Sequence, residues 1–340
     1  FATLVVRMKQ RGIAFSALRV VNGASNAAFT ILYALLVSKT FYAVIVGLFF
    51  SHVLSALLAI FFERDLWFGK FKINTGSVKE IIKYGLPFVP TFLITWIFQS
   101  FDKLALRNYC DFTEIGLYSA AFKVVSVMSL IQVGFSNFWT PVSYESYEND
   151  PESTGLFEKV SLFISAAMFV VGMLIIVFKD VIFLLLAKSY RQAAGISSFL
   201  LLIPIMNTTS QVTGVGIGFK KKTYWHMIIS AVPAVANVIG NTLLVPQYGA
   251  KGAAFTTGLS YILYYCMKTF ISKNLYPVNY HLGKFFTATV VFVIVAFINT
   301  FVGNLVWQVL SAVIGLVIVL LVYNTEVKYA LDLVIDELKR

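Results

Sequence analysis

Charge is scarce in this sequence of 340 residues: Asp, Glu, Lys and Arg together make up 13% of it, about half the share of a soluble domain. Hydrophobic residues reach 59% and the mean hydropathy is +0.81. A water-soluble globule of this size cannot bury so much apolar surface. A soluble enzyme, a disordered chain and a nucleic-acid-binding domain are therefore excluded. Cysteine and histidine are equally sparse. Cys110 and Cys266 lie far apart, and His52, His226 and His281 are dispersed, so neither a disulfide framework nor a metal site is expected. No hydrophilic insertion exceeds roughly 20 residues, which leaves no room for a folded catalytic domain outside the membrane. No cofactor and no enzymatic activity are expected.

Long apolar runs are what the sequence has instead. A helix crosses the hydrocarbon core in about 20 residues. Charged and Pro/Gly-rich breaks divide the chain into ten such runs, at 13–37, 41–62, 83–107, 114–139, 157–178, 194–219, 224–246, 251–273, 283–303 and 305–324. The expected fold is all-α, a polytopic membrane protein of about ten transmembrane helices. The run 194–219 is the weakest, because it holds Pro204, Asn207 and Gly214-x-Gly216-x-Gly218. That glycine run has neither the preceding strand nor the lysine–serine pair of a phosphate loop, and reads as helix packing.

The acids, 16 against 27 basic residues, leave a surplus whose placement sets direction. With the first residue in the cytoplasm, eighteen Lys and Arg fall inside and seven outside, with Arg19 and Lys123 within spans. This bias puts both ends of the chain in the cytoplasm. Ser77-Val78-Lys79-Glu80 reads as a capping box that starts a short cytoplasmic helix. Val327, Ala330, Leu331, Val334, Ile335 and Leu338 recur at helical spacing and predict an amphipathic tail helix on the inner membrane surface. The run from Tyr144 to Glu152 reads as a solvated loop. Phe1 and the basic stretch Arg7–Arg11 suit a loop between spans, and the expectation is that further spans precede it.

Charges inside spans are costly, about 2.5–3.5 kcal/mol each on insertion scales, and mark functional positions. Lys123 lies about 13 Å into its span, counted from Glu114 at 1.5 Å per residue, and is read as lining a cavity or, alternatively, as part of a structural ion pair. Lys103 and Arg107 share a helix face, while Asp102 points about 100° away. Asp102 either neutralises Lys103 or Lys123, or takes up a proton or ion. Arg19 lies about 10 Å into its span, counted from Gly12, and either binds ligand or reaches back to the cytoplasmic surface. Together Arg19, Lys103, Arg107 and Lys123 outnumber the single acid, and a positive, water-filled cavity suits an anionic substrate. Gln99, Ser100, Ser126, Gln132, Asn137, Thr208, Asn237 and Asn241 either contact sugars or bind helices together. Pro141 is expected to end the fourth span, and Pro204 and Pro233 to interrupt the sixth and seventh.

The segments Tyr84-Gly85-Leu86-Pro87-Phe88-Val89-Pro90, Asp102-Lys103 and Gly116-Leu117-Tyr118-Ser119-Ala120-Ala121-Phe122-Lys123 resemble the bacterial polysaccharide flippases of the multidrug/oligosaccharidyl-lipid/polysaccharide exporter superfamily. Phe138-Trp139-Thr140-Pro141, Lys221-Lys222-Thr223, Pro246-Gln247-Tyr248-Gly249 and Gly252-Ala253-Ala254 extend the resemblance over nearly the whole chain. It implies a two-lobed, MATE-like bundle with part of the first lobe missing. On that basis 1–65 ends the first lobe and 66–84 is a cytoplasmic linker with a short helix. The second six-helix lobe is 85–273, two extra C-terminal helices are 274–324, and 325–340 is the tail.

The resemblance further implies transport of an undecaprenyl-pyrophosphate-linked oligosaccharide from the inner to the outer leaflet of the bacterial cytoplasmic membrane. O-antigen, capsule or exopolysaccharide would be its product. Lys103 and Lys123, which lie in the resembling motifs, are implied contacts of the substrate headgroup; Arg19 and Arg107 rest on the charge argument alone. Asp102 is the candidate for proton or ion coupling. The implied partners are the lipid-linked oligosaccharide, membrane lipids, a polysaccharide polymerase and other assembly proteins, with no nucleic acid. A multidrug antiporter of the same superfamily would place acids, not bases, in its cavity. A membrane polymerase or glycosyltransferase would need a long outer loop or a surface acidic pair.

Overall fold

In the computed structural model, residues 2–9, 11–67, 75–86, 88–184, 188–329 and 332 are described, and of 75–78, 99 and 189 the backbone alone. These residues are helical almost throughout, with no strand among them. Eight of the helices they form are long and apolar enough to cross a membrane, and the chain is an all-α, multi-pass membrane protein. Among the described residues, each of the ten apolar runs lies mainly on helix. The chain divides into two compact units, Phe1–Val78 and Lys79–Arg340.

The first unit holds α1 (Ala2–Met8), α2 (Gly12–Leu36), α3 (Tyr42–Phe62) and α4 (Arg64–Trp67), and the start of α5 (Thr75–Gly85). Val6, Phe15, Leu18 and Ala59 form its small core. The long helices α2 and α3 pack closely because small residues face each other: a side chain at Gly47 would run into Thr30. Asn22 donates to the Ser51 carbonyl and the Ser55 hydroxyl at 3.1 and 2.9 Å. Such amide bonds between helices replace water that the bilayer does not supply. Arg19, Asn22, Ser25 and Asn26 leave α2 too polar to rank among the eight apolar helices. Helix α5 starts two residues before Ser77, whose side chain lies outside the described residues, so the capping box does too.

The second unit comprises α6 (Phe88–Tyr109), α7 (Phe112–Asn149), α8 (Gly155–Leu184), α9 (Ala193–Leu200), α10 (Leu202–Thr213), α11 (Val215–Phe219), α12 (Tyr224–Leu275), α13 (Leu282–Phe301) and α14 (Leu305–Val322). Helices α9 and α10 are the central post, almost wholly enclosed by α7, α8, α12 and α13. The stretch that the sequence marks as its weakest span is thus the most buried. Its polar content is satisfied locally, with Thr208 and Thr209 donating back to the Pro204 and Ile205 carbonyls at 2.6 and 2.8 Å. The break at Leu201 precedes Pro204, whose missing N–H cannot continue the ladder.

Two expectations about proline are corrected. Pro141 does not end its helix: α7 continues to Asn149, so the expected loop from Tyr144 is mostly helix. The reason is packing, because Tyr147 stacks on Phe219 with ring centres 4.1 Å apart. Nor does Pro233 interrupt α12; the sole non-helical residue within that element is Gly249, at φ 53° and ψ −135°. That conformation is open to glycine and strained for other residues. It divides α12 at the boundary expected between the seventh and eighth spans. Past α14, residues 324–329 are helical, and the rest of the expected tail helix lies outside the described residues except for Asp332.

Candidate functional site

Asp102 is the centre of a polar cluster that joins α6, α7 and both halves of α12. Its side chain is buried, at 3% exposure, and four neutral groups donate to it. Tyr118 and Thr257 donate to Oδ2 at 2.5 and 2.9 Å, and Asn241 and Asn237 donate to Oδ1 at 2.7 and 3.3 Å. Asn237 also donates to Thr257 Oγ1 at 3.1 Å, and Asn241 to Asn237 Oδ1 at 3.0 Å. The Oδ1 of Asn241 is buried and takes no hydrogen bond from the described residues.

Local sequence explains this geometry. Asn237 and Asn241 are four apart and so stack on one helix face. The turn at Gly249 folds α12 back and brings Thr257 beside them. Glu114 secures the turn: its carboxylate accepts from the Ala250 N–H at 2.6 Å. One face of α7 thus carries Glu114 to the turn, and a turn further on Tyr118 to Asp102.

Asp102 does not pair with Lys103 or Lys123, in contrast to one of the two roles read for it. Successive residues on a helix are about 100° apart. Burying Asp102 against α7 and α12 therefore leaves Lys103 on the outer face of α6, where it is exposed together with Arg107, Phe92 and Trp96. Lys123 is exposed on α7, flanked by Phe122, Ser126 and Val127. Helices α6 and α7 are joined by residues 110 and 111 alone. At 1.5 Å per residue, Arg107, Lys103 and Lys123 therefore lie about 3, 9 and 16 Å from that end of their helices. Arg19 belongs to the first unit. It lines a pocket of about 170 Å³ with Asn22, His52 and Ser55, and its guanidinium sits 5.2 Å from the Phe15 ring centre.

The sequence offers Asn237 and Asn241 as sugar contacts or helix ties; the structure makes them hydrogen-bond donors to a carboxylate. Tyr118 and Thr257 were not singled out. Their signal was available in part, since a lone acid deep in a span demands donors, but which helices supply them depends on the turn at Gly249. Thr208, also offered as a sugar contact, is buried and bonded to its own helix.

Fold and site together define a multi-pass helical membrane protein with a buried carboxylate on one side of α6 and bare cations on the other. Residues 1–146 match the family model described as "Polysaccharide biosynthesis protein". The structure is similar to "Lipid II flippase MurJ, inward closed conformation", with a TM-score of 0.55 and 16% identity, over 92% of this chain and 67% of that one. No curated protein matches the sequence. The family model thus matches the front of the chain, and the solved structure shares its fold.

Proposed function

We propose that this protein flips a polyprenyl-pyrophosphate-linked oligosaccharide across the bacterial cytoplasmic membrane for the assembly of a surface polysaccharide. The observation that carries the reading is the separation of charge on α6. Lys103 and Arg107 are exposed and Asp102 is buried among neutral donors. Exposed ammonium and guanidinium groups suit a pyrophosphate, which offers several anionic oxygens to each. Lys123 and, in the first unit, Arg19 extend the cationic set. The same separation weighs against a multidrug antiporter, whose cationic substrates need acids where this chain presents bases.

Asp102 is assigned the coupling role. A buried carboxylate without a cationic partner is costly to keep charged, and a proton or a small cation removes that cost. Because its donors come from α7 and from both halves of α12, loading and unloading Asp102 changes contacts between three helices at once. Such a differential contact is what allows a ligand to shift a conformational equilibrium. In this scheme both chain ends are cytoplasmic, residues 1–65 close a first lobe, 85–273 form the second and 274–324 are accessory helices. A polymerase and other assembly proteins take up the product.

Export of glycan by a flippase-deficient strain expressing this protein tests the reading. Lys123→Ala is expected to abolish export while leaving membrane insertion intact. Normal export by that variant removes Lys123 from the mechanism, and no export by the wild-type protein in any glycan background overturns the assignment.

A further inference from the structure

A second polar site lies in the second unit, away from the Asp102 cluster. Between the last third of α7, the end of α10 and both arms of α12 is a cavity of about 170 Å³, whose lining includes Ser136, Tyr144, Gln211, His226 and Lys268. Lys268 has a half-buried side chain within α12. Its ammonium makes two long hydrogen bonds, to Ser210 Oγ and Tyr264 OH, each at 3.4 Å, and lies 5.4 Å from the Tyr264 ring centre. Among the described residues it forms no ion pair, and no carboxylate lines the cavity.

The glycine run builds this pocket. A side chain at Gly214 would strike the Lys268 stem, and one at Gly218 would strike the Tyr144 hydroxyl. The missing Cβ atoms thus let the lysine lie across the end of α10 and the tyrosine close over α11. Two and four residues past Gly218, Lys220 and Lys222 are exposed, so positive charge continues along the chain that leaves the pocket. Withdrawing an ammonium from water without a counter-charge is unfavourable. An oxyanion small enough for the cavity would satisfy Lys268, with Tyr144 and His226 as further hydrogen-bonding groups.

We propose that this pocket binds a phosphate group through Lys268, either the phosphodiester of an anionic lipid headgroup or free phosphate. The site is distinct from the cations assigned to the transported substrate, and it stands whether or not the transport reading does. Its test is the acetylation rate of Lys268 in the full chain, followed by mass spectrometry in phosphatidylcholine nanodiscs. Lys159, exposed at the start of α8, serves as a reference for general surface charge. Replacing part of the phosphatidylcholine by phosphatidylglycerol is expected to slow acetylation of Lys268 relative to Lys159 by about tenfold, as for a ligand near ten times its dissociation constant. Selective protection by inorganic phosphate in pure phosphatidylcholine also supports the site, and identifies the soluble anion as its source. If neither addition protects Lys268, or if both lysines slow equally, the site is refuted.

Discussion

Tyr118 on α7 donates its phenolic hydrogen to Asp102 on α6 across 2.5 Å, and both side chains are buried. This bond ties two consecutive spans at a point where water cannot compete, and its acceptor is the one acid placed well inside a span by the sequence. A hydrogen bond to a charged group contributes about 1.5–3 kcal/mol. Tyr118→Phe should accordingly lower stability by about 2 kcal/mol if Asp102 is ionised, and by about 1 kcal/mol if it is neutral. Thermal unfolding of the two proteins in detergent, with and without added sodium and across pH, separates these cases.

Asp102→Asn retains the shape of the carboxylate and removes its charge. The expected outcome is a folded protein that no longer responds to an imposed proton or sodium gradient in proteoliposomes. Asp102→Ala instead strands four donors, each costing about 1–3 kcal/mol when unsatisfied and buried, and should reduce the yield of folded protein sharply. Retained gradient dependence in the Asn variant would take coupling away from this residue.

The turn inside α12 is open to a sharper test. Gly249 has φ 53°, and a side chain there would meet the Glu114 carboxylate. Gly249→Ala combines backbone strain of about 1–3 kcal/mol with displacement of the group that caps Ala250. Glu114→Ala removes the cap alone, at about 1 kcal/mol. The two losses should not add, because both act on one contact. A double-mutant cycle by thermal unfolding measures the shortfall.

Lys103→Gln and Arg107→Gln change exposed side chains, so stability should move by no more than about 0.5 kcal/mol. Export, in contrast, should fall several-fold with either substitution and nearly vanish with both. Loss of export together with loss of folded protein would point to anchoring rather than substrate contact.

Four residues past α14, Glu326 accepts two hydrogen bonds from Lys284, at 2.8 and 3.1 Å. Burial pushes its carboxyl up, but the bonds from Lys284 and Thr325 outweigh this and hold it below the usual carboxylate range. A depressed carboxylate stabilises the fold above its unfolded value and ceases to do so as pH falls through the folded one. The stability gap between wild type and Glu326→Gln should therefore be full at neutral pH and close below about pH 4. A gap that widens in acid would contradict the pairing.

Much of this architecture is legible from hydropathy, because a lipid solvent demands apolar length and little else. That Asp102 and Lys103 face different sides of α6 also follows from helix geometry alone. What was not legible has a common cause. The partners of Asp102 come from residues 16 to 155 positions away, brought together by the turn at Gly249, and no local pattern encodes such a meeting. Pro141 and Pro233 were misread because neighbouring packing, by Phe219 in the first case, holds a helix together past a missing hydrogen bond. Lys268 falls inside the run 251–273, but its approach to Ser210 comes from the packing of α10 against α12, which no local pattern encodes.

The adjacency of Asp102 and Lys103 on α6 has a mechanical corollary. The two residues share one peptide step on a stiff rod, so they cannot be wetted independently by any twist of that rod. A roll of about 100° in one sense brings the ammonium to the direction that the carboxylate had faced, and the reverse roll restores both. Cargo release and ion entry would then be two readings of a single angular coordinate, with no separate relay between them.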